Sequence, residues 1–397
     1  MSLHRNRAMN RLLSLLALAV LALGSHSARA DAAASLYSQH CLTCHGAARL
    51  GGMGPALLPE SLERLKRKDA QATIRDGRPA TQMPAFGQVL SADEIETLTG
   101  WIYSPVSPPP SWSEADIRAS RVEHFPKGSL PDTRQGAVAT ADPMNLFIVV
   151  EAGDHHVSVL DGDRMERIHR FPSRYALHGG PKFSPDGRYV YFASRDGWIS
   201  KFDIWNLKVV AEVRAGLNTR NTAVSSDGRY VAVANYLPGN LALFDADLRL
   251  IKLIEGRNLK GDLRSRLSAV YDAAPRRSFI IGLKDVPEIW ELSYDPGAAP
   301  IHDGYVHDYK MGEAIATPGF LNPRRTALDE VLDDFFFTQD YIHVVGASRE
   351  GRGQVVNLDI RRAISRLDLP GMPHLGSGIS WLREGRRVVA STNLKDA

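Results

Sequence analysis

Apolar and polar positions divide the chain into three parts with different patterns. An almost unbroken apolar run, LLSLLALAVLALG, occupies residues 12–24. Between residues 31 and 104 apolar positions recur at helical spacing, as in the stretch that begins with the capping-box sequence Ser91-Ala92-Asp93-Glu94. From about residue 134 the pattern changes to short alternating runs closed by turns, which is typical of β-strands. We therefore predict an α plus all-β, two-domain protein behind an apolar leader.

The β-rich part contains a repeat. The phrase FSPDGRYV at residues 183–190 returns as SSDGRYV at residues 225–231, so that the two Asp-Gly pairs are 41 residues apart. Each phrase predicts a hairpin turn followed by an alternating strand, and weaker copies occur on both sides. Four-stranded units that recur every 40 to 50 residues or so are typical of a β-propeller, with an irregular β-sandwich as the alternative. Residues 134–397 supply about six blades at this period, so we expect the ring to be completed by sequence beyond Ala397.

The first 30 residues have the form of a secretory signal peptide. Arg5, Arg7 and Arg11 precede the apolar run, and Ala28-Arg29-Ala30 predicts cleavage after Ala30. The run of 13 residues is shorter than the roughly 20 that span a bilayer, which makes a retained membrane anchor the weaker interpretation. We expect a periplasmic protein without stable membrane insertion.

The net charge of the chain argues against nucleic acid as a partner. The formal net charge of the whole chain is +3, but the predicted leader contains four arginines and no acidic residue, which leaves −1 for residues 31–397. A nearly neutral exported protein without a basic stripe is not expected to bind nucleic acid. The sequence PVSPPP at residues 105–110 cannot continue a helix, and we predict a linker over residues 105–133 between a domain at 31–104 and a domain at 134–397.

Both cysteines of the chain stand in one motif, Cys41-Leu42-Thr43-Cys44-His45. The pattern C-x-x-C-H attaches a c-type heme: the two thiols form thioethers and the histidine binds iron. A redox-active pair or a structural disulfide is the alternative, but neither a thioredoxin-like context nor further zinc ligands accompany the motif. For the sixth iron ligand we predict Met83, in TQMPAF, with Met53 as its competitor, because a thioether trans to histidine suits electron transfer. The domain resembles class I cytochrome c in its attachment helix, its methionine loop and its closing aromatic helix.

Beyond the linker the chain resembles the cytochrome cd1 family, whose members join a c-type cytochrome to an eight-bladed propeller that holds heme d1. The motifs that carry the resemblance are YALHGG, SRDGWISKFDIW, GLNTRNTAVS, ANYLPG and GMPHLGSGISW. It implies that His178 is the proximal iron ligand, that Arg195 and Arg220 hold ring carboxylates, that Tyr236 lines the pocket and that His374 lies on the distal side. Without the resemblance, a solvated or structural role would be the expectation for His178, Arg195 and Arg220.

The resemblance is greatest to the dihydro-heme d1 dehydrogenase (NirN-type) branch of the family. The nitrite reductases of the family have two distal histidines, whereas this sequence presents only His374, and we expect Asn322 at the position of the second. The branch implies a dehydrogenase that converts dihydro-heme d1 to heme d1, with heme c passing electrons to a soluble acceptor. We predict His374 as the catalytic base and His343 as the second candidate, although DYIHVV also suits a core or turn histidine.

Two other functions compete with the dehydrogenase. A cd1-type nitrite reductase would form nitric oxide from nitrite, and a non-enzymatic carrier would bind heme d1 without converting it. The dehydrogenase would pass a hydrophobic product on, so nitrite reductase is a plausible receiving partner.

Overall fold

The structure, a computed structural model, describes residues 29–62, 65–79, 81–302, 316–371 and 373–393. The predicted signal peptide lies outside the described residues except for its last two positions. The chain divides after Pro110 into two compact units, unit 1 (Met1–Pro110) and unit 2 (Ser111–Ala397). None of the helices in these described ranges is both long and apolar enough to cross a bilayer.

Unit 1 is helical in its described part, as the periodicity predicts. Its helices are α1 (29–40), α2 (Leu42–His45), α3 (Pro59–Leu62), α4 (Arg67–Asp76) and α5 (Ala92–Ile102). Helix α5 begins at the predicted capping box, in which the Ser91 hydroxyl accepts from the Glu94 backbone N–H and the Glu94 carboxylate accepts from the Ser91 backbone N–H. A buried cluster containing Tyr37, Ile95 and Leu98 joins α1 to α5.

Unit 2 begins within the segment predicted as a linker. Helix α6 (Glu114–Ser120) and strand β1 (Val122–Glu123) form here, because Ser113 and Asp116 build a second capping box and Ile117 is fully buried. Strand β1 pairs with an edge strand of the first four-stranded sheet. The connecting segment without regular structure is therefore shorter than the sequence predicts.

The described strands of unit 2 form six antiparallel sheets. The strands are β2 (Leu146–Glu151), β3 (His156–Asp161) and β4 (Glu166–Pro172); β5 (Lys182–Phe183), β6 (Tyr189–Ala193), β7 (Trp198–Asp203) and β8 (Lys208–Arg214); β9 (Asn218–Val224), β10 (Tyr230–Leu237), β11 (Asn240–Asp245) and β12 (Leu250–Glu255); β13 (Leu267–Ala273), β14 (Ser278–Leu283), β15 (Glu288–Ser293) and β16 (Pro323–Ala327); β17 (Asp334–Phe337), β18 (His343–Ala347), β19 (Arg352–Asn357) and β20 (Arg362–Asp368); β21 (Pro373–Arg383) and β22 (Arg386–Asn393).

Each sheet packs its apolar face on the next sheet along the chain. Phe202 of β7 stacks on Phe171 of β4 with ring centroids 4.3 Å apart, and Trp290 of β15 is fully buried in a cluster shared with β9–β12. Further shared clusters join the remaining neighbours. The first strands of five sheets, β5, β9, β13, β17 and β21, contact one another in turn, and we call them the inner strands. This arrangement is consistent with successive propeller blades.

Candidate heme and tetrapyrrole sites

In unit 1 the C-x-x-C-H motif lies where α1 ends and α2 begins. Cys41 and Cys44 are free thiols, and burial raises the pKa of the Cys41 thiol to about 11. His45 is buried, which lowers the pKa of its imidazole, and its Nδ1 lies 2.8 Å from the carbonyl oxygen of Pro55. A carbonyl can only accept, so Nδ1 donates and Nε2 keeps its lone pair.

The backbone around His45 is shaped for close approach. A Cβ at Gly54 would stand 2.8 Å from the His45 ring, so a larger residue here would displace the imidazole. Among the described residues, no three His, Cys, Asp or Glu side chains gather as a protein-only metal site would require. One histidine with two nearby thiols fits heme c, to which the protein contributes one nitrogen ligand and two thioethers.

The structure distinguishes the two candidate methionines by exposure. Met53 is 52% exposed, whereas Met83 is partly buried. The Met83 carbonyl accepts from the Arg78 backbone N–H, and a Cβ at Gly77, whose φ is +71°, would meet that carbonyl at 2.9 Å. These contacts hold the Met83 loop against the end of α4, and Met83 as the sixth ligand stays a prediction.

In unit 2 the loop between β4 and β5 presents His178. The His178 backbone N–H donates to the Ala193 carbonyl, and an isolated bridge pairs Leu177 with Ser194. The His178 Nδ1 lies 2.6 Å from the carbonyl oxygen of Arg220 on β9, so it donates there, and His178 as an iron ligand stays a prediction. Gly179 has φ +84°, and a Cβ there would lie 2.7 Å from the Asn221 side chain, which only glycine avoids.

A chain of contacts continues from His178 around the ends of the sheets. The Arg220 guanidinium lies over the Tyr236 ring at 4.2 Å, and Arg266 lies over the same ring at 5.1 Å. The Lys284 ammonium is 5.8 Å from the Tyr236 ring and forms an ion pair with Asp333. Asp333 in turn pairs with Arg349. We call this set the cationic rim; its members are Arg220, Tyr236, Arg266, Lys284, Asp333 and Arg349.

The other predicted residues fall in different places. Arg195 is exposed, and its backbone N–H donates to Ala176, two residues before His178. His374 stands at the start of inner strand β21 and interacts electrostatically with Asp334, the residue after Asp333. The structure therefore brings His178, Arg195, Arg220, Tyr236 and His374 to the same end of the sheets.

His343 and Asn322 do not join them. His343 begins β18 beside the turn that follows β17, the end opposite to Arg349, and its Nε2 is 3.0 Å from the Asn357 amide nitrogen. The Asn322 side chain accepts from Lys252 on β12, at the sheet edge opposite to inner strand β9. Asn322 is therefore not a neighbour of His374, and the expectation that it occupies a distal position is not supported.

Sequence reasoning missed Arg266, Lys284, Asp333 and Arg349. A signal was present near the end of the second strand in four successive sheets. Arg195, Lys284 and Arg349 stand one or two residues after β6, β14 and β18, and Tyr236 is the last residue but one of β10. Aligning the blades strand by strand places these positions together. Guanidinium and ammonium groups that surround an aromatic ring at a rim fit a planar ligand that carries several carboxylates.

Comparison with known proteins agrees with this geometry. A family described as "Cytochrome D1 heme domain" matches residues 141–396, and one described as "Cytochrome C oxidase, cbb3-type, subunit III" matches residues 28–102. The chain is 54% identical to a dihydro-heme d1 dehydrogenase of Pseudomonas aeruginosa over 362 residues, which are 91% of this chain and 68% of that protein. A solved structure, "Dihydro-heme d1 dehydrogenase NirN in complex with DHE", superposes with a TM-score of 0.79 at 53% identity and covers 91% of this chain and 73% of the other.

A nitrite reductase of Stutzerimonas stutzeri is more distant. It is 25% identical over 308 residues, which are 71% of this chain and 54% of the reductase. The predicted resemblance is confirmed: a c-type cytochrome region precedes a β-rich region with the cytochrome d1 signature. The chain belongs to the cytochrome D1 heme domain family.

Proposed function

We propose that this protein is a periplasmic oxidoreductase that converts dihydro-heme d1 to heme d1 as the last step of heme d1 synthesis. The sheets of unit 2 would belong to an eight-bladed propeller whose cationic rim receives the tetrapyrrole as substrate. The observation that carries the proposal is the combination of His178, whose Nδ1 is hydrogen-bonded to the Arg220 carbonyl, and the cationic rim that begins at Arg220. The 54% identity to a dihydro-heme d1 dehydrogenase supports the same assignment.

The reaction removes two hydrogens from a propionate side chain. Two C–H bonds break, one carbon–carbon π bond forms, two electrons leave for a soluble one-electron acceptor, and two protons leave to bases of the protein. Heme c, held by Cys41, Cys44 and His45, supplies a one-electron redox centre. His178 binds the substrate iron, Arg195 and Arg220 orient the ring carboxylates, and His374 is the base that removes a proton.

The positive charges of the cationic rim help to bind and orient the carboxylates of the substrate. Arg220 is buried, and its guanidinium is a planar set of N–H donors that suits a carboxylate. The buried Tyr236 ring packs against the Arg220 and Arg266 guanidinium groups, which holds these cations in place at the rim. A ligand held by several such contacts has its propionate carbons in a fixed position relative to His374.

The test is to add dihydro-heme d1 to the oxidised protein and to record the absorption of both tetrapyrroles with time. The dehydrogenase predicts that the dihydro-heme d1 spectrum converts to that of heme d1 while heme c becomes reduced. Nitric oxide formation from nitrite and a reductant, without this conversion, would identify a nitrite reductase. Tight binding with neither reaction would identify a carrier.

Delivery of the product is part of the proposal. Heme d1 is hydrophobic, so direct transfer to nitrite reductase avoids its release into water. Mixing the product-loaded protein with apo-nitrite reductase should move heme d1 to the reductase, and co-elution of the two proteins would reveal a transient complex. Transfer at the same rate from free heme d1 would contradict a direct exchange.

A further inference from the structure

Asp333 lies between two cations of the cationic rim, at the junction of two neighbouring sheets. Its carboxylate forms an ion pair with Lys284, which follows β14, and accepts a hydrogen bond of 3.2 Å from the Nε of Arg349, which stands two residues after β18. The Asp333 backbone N–H donates to the Ala347 carbonyl at 2.9 Å, which fixes the residue just before β17 begins. A carboxylate of the protein itself therefore lies where an ammonium and a guanidinium meet.

The three side chains are largely shielded from water. Lys284 is buried, and the Asp333 and Arg349 side chains are partly buried. Water screens charges only weakly in such surroundings, so each charge acts strongly on any ion that binds nearby. One guanidinium nitrogen of Arg349, Nη2, is buried without a hydrogen-bond partner among the described residues. Asp333 therefore satisfies only part of the donor capacity of Arg349.

A second carboxylate is paired with the rim in the same way. Asp285, the residue after Lys284, accepts from the Arg266 backbone N–H at 2.9 Å and from the Arg266 guanidinium at 2.6 and 2.9 Å. The Arg266 carbonyl in turn accepts from the Lys284 backbone N–H at 2.9 Å. Three cations of the rim, Arg266, Lys284 and Arg349, are thus paired with two carboxylates of the protein itself.

We propose that Asp333 is a resident counter-ion that limits the affinity of the cationic rim for the tetrapyrrole and so permits release of the product. The inference rests on the proposed function, because it takes a macrocycle with several carboxylates as the ligand. Removal of two hydrogens from a propionate leaves its carboxylate in place, so substrate and product have the same charge. Cations without counter-ions would hold both molecules tightly. The Asp333 carboxylate competes with both for Lys284 and Arg349.

The sign of the effect on binding distinguishes a counter-ion from a structural bridge. If the ion pairs of Asp333 only joined the two sheets, their loss would weaken tetrapyrrole binding or leave it unchanged. A counter-ion opposes an anionic ligand, so its loss strengthens binding. Loss of the Asp333 charge also deprives the buried Lys284 of its ion pair, which destabilises the substrate-free protein. A ligand carboxylate compensates for the missing charge and restores that stability.

The experiment compares Asp333→Asn with Glu291→Gln in the full-length protein with heme c attached. Glu291 is a matched control, because it too forms ion pairs with two cations, Arg276 and Arg324, and its side chain is 11% exposed against 18% for Asp333. It lies away from the rim, since Arg276 follows the end of β13 whereas Arg266 precedes its start. Heme c is kept reduced throughout, so that no electrons leave and the ligand is not converted.

The first measurement is a spectroscopic titration with dihydro-heme d1. We expect Asp333→Asn to lower the Kd about 10-fold, the scale of one charge removed close to a ligand carboxylate near a protein surface, and Glu291→Gln to leave it within twofold. Heme d1 should show the same gain, since its charge is the same. The second measurement is thermal unfolding. Both variants should lower the Tm without ligand, but saturating dihydro-heme d1 should raise the Tm more in Asp333→Asn than in wild type.

The outcomes separate this inference from the proposed function. An affinity of Asp333→Asn equal to or below that of wild type overturns the counter-ion, as does a gain that persists with fully esterified dihydro-heme d1, which lacks the carboxylates. A gain in a protein whose wild type does not oxidise dihydro-heme d1 supports the counter-ion and refutes the dehydrogenase. If Asp333→Asn does not fold, Asp285→Asn replaces it. The Asp285 side chain is 34% exposed, so its loss costs less stability, and the affinity should again rise, by a smaller factor.

Discussion

At the scale of single residues, the two proposed iron ligands use the same device. His45 donates from Nδ1 to the Pro55 carbonyl, and His178 donates from Nδ1 to the Arg220 carbonyl. Each bond fixes the tautomer and the ring orientation, as hydrogen bonds to iron-binding histidines do. The sequence pointed to His45 through a local motif. For His178 it offered only a resemblance, because its partner lies 42 residues further along the chain.

Replacing His178 by alanine should remove the axial ligand of the substrate iron. We expect the affinity for dihydro-heme d1 to fall at least about 10-fold and turnover to be lost, while the heme c spectrum is unaffected. The measurement is a spectroscopic titration, with His343→Gln as the control that keeps wild-type affinity. Normal turnover by His178→Ala would remove this residue from the site.

The partly buried carboxyl of Asp272 should make the stability of the protein depend on pH. Burial raises the pKa of its carboxyl to about 6, against a hydrogen bond from Tyr294 at 2.7 Å that favours the charged form. Because the folded-state pKa is raised, the stabilising contribution is present below about pH 4 and is lost as pH rises through about 6. Asp272→Asn should therefore stabilise the protein by about 1 kcal/mol at pH 7.5, after allowance for partial exposure, and by nothing at pH 4. The measurement is the free energy of unfolding in urea at both pH values. An equal change on Asp272→Asn at pH 4 and at pH 7.5 would contradict the prediction.

At the scale of elements, the residues of the candidate tetrapyrrole site lie at strand ends and in the loops beside them. Arg195, Tyr236, Lys284 and Arg349 all lie near the end of the second strand of successive sheets, which the repeat could have revealed. The hydrogen bond from Tyr271 to Asp334 joins residues 63 apart on two different sheets, and no local pattern predicts such a contact. The hairpins and the sheet order follow from the repeat, whereas contacts between sheets depend on packing that a single sequence does not display.

The loop after α2 is expected to tolerate little change. In Gly54→Ala the new Cβ would overlap the His45 ring, so the imidazole must turn or the loop must move. We expect a weakened bond between His45 and iron, seen as a shifted heme c absorption and reduction potential. Gly100→Ala is the control, since a Cβ there meets nothing within 4 Å. A heme c spectrum equal in both variants would show that the loop relaxes freely.

At the scale of the whole molecule, the chain consists of two units that fold around separate cores. The sequence predicted both units from periodicity, motif and repeat. The capping box at Ser113 and the buried Ile117 stand before the repeat, so the repeat alone does not reveal helix α6. The match to a solved structure over 91% of the chain confirms the order of the two regions.

Because the two units have separate cores, we expect that removing heme c from unit 1 leaves tetrapyrrole binding by unit 2 intact. The double variant Cys41→Ser with Cys44→Ser lacks both thioethers, so it should contain no covalent heme, yet unit 2 should bind dihydro-heme d1 with an affinity within about threefold of wild type. Conversion to heme d1 should stop, since the electrons have no exit. Binding is measured by titration and conversion by absorption. Loss of tetrapyrrole binding in a folded variant would show that the two units do not act independently.

Apolar and polar residues occupy different parts of each sheet, and this separation has a consequence for evolution. Apolar clusters occupy the middles of the strands, while the residues that would hold the macrocycle stand at strand ends and in the loops beside them. Exposed residues at these strand ends, such as Arg195, can be exchanged at little cost to folding, whereas the buried Arg220, Tyr236 and Lys284 cannot. Selection can therefore alter the chemistry of such a site most readily through the exposed residues that follow the strands.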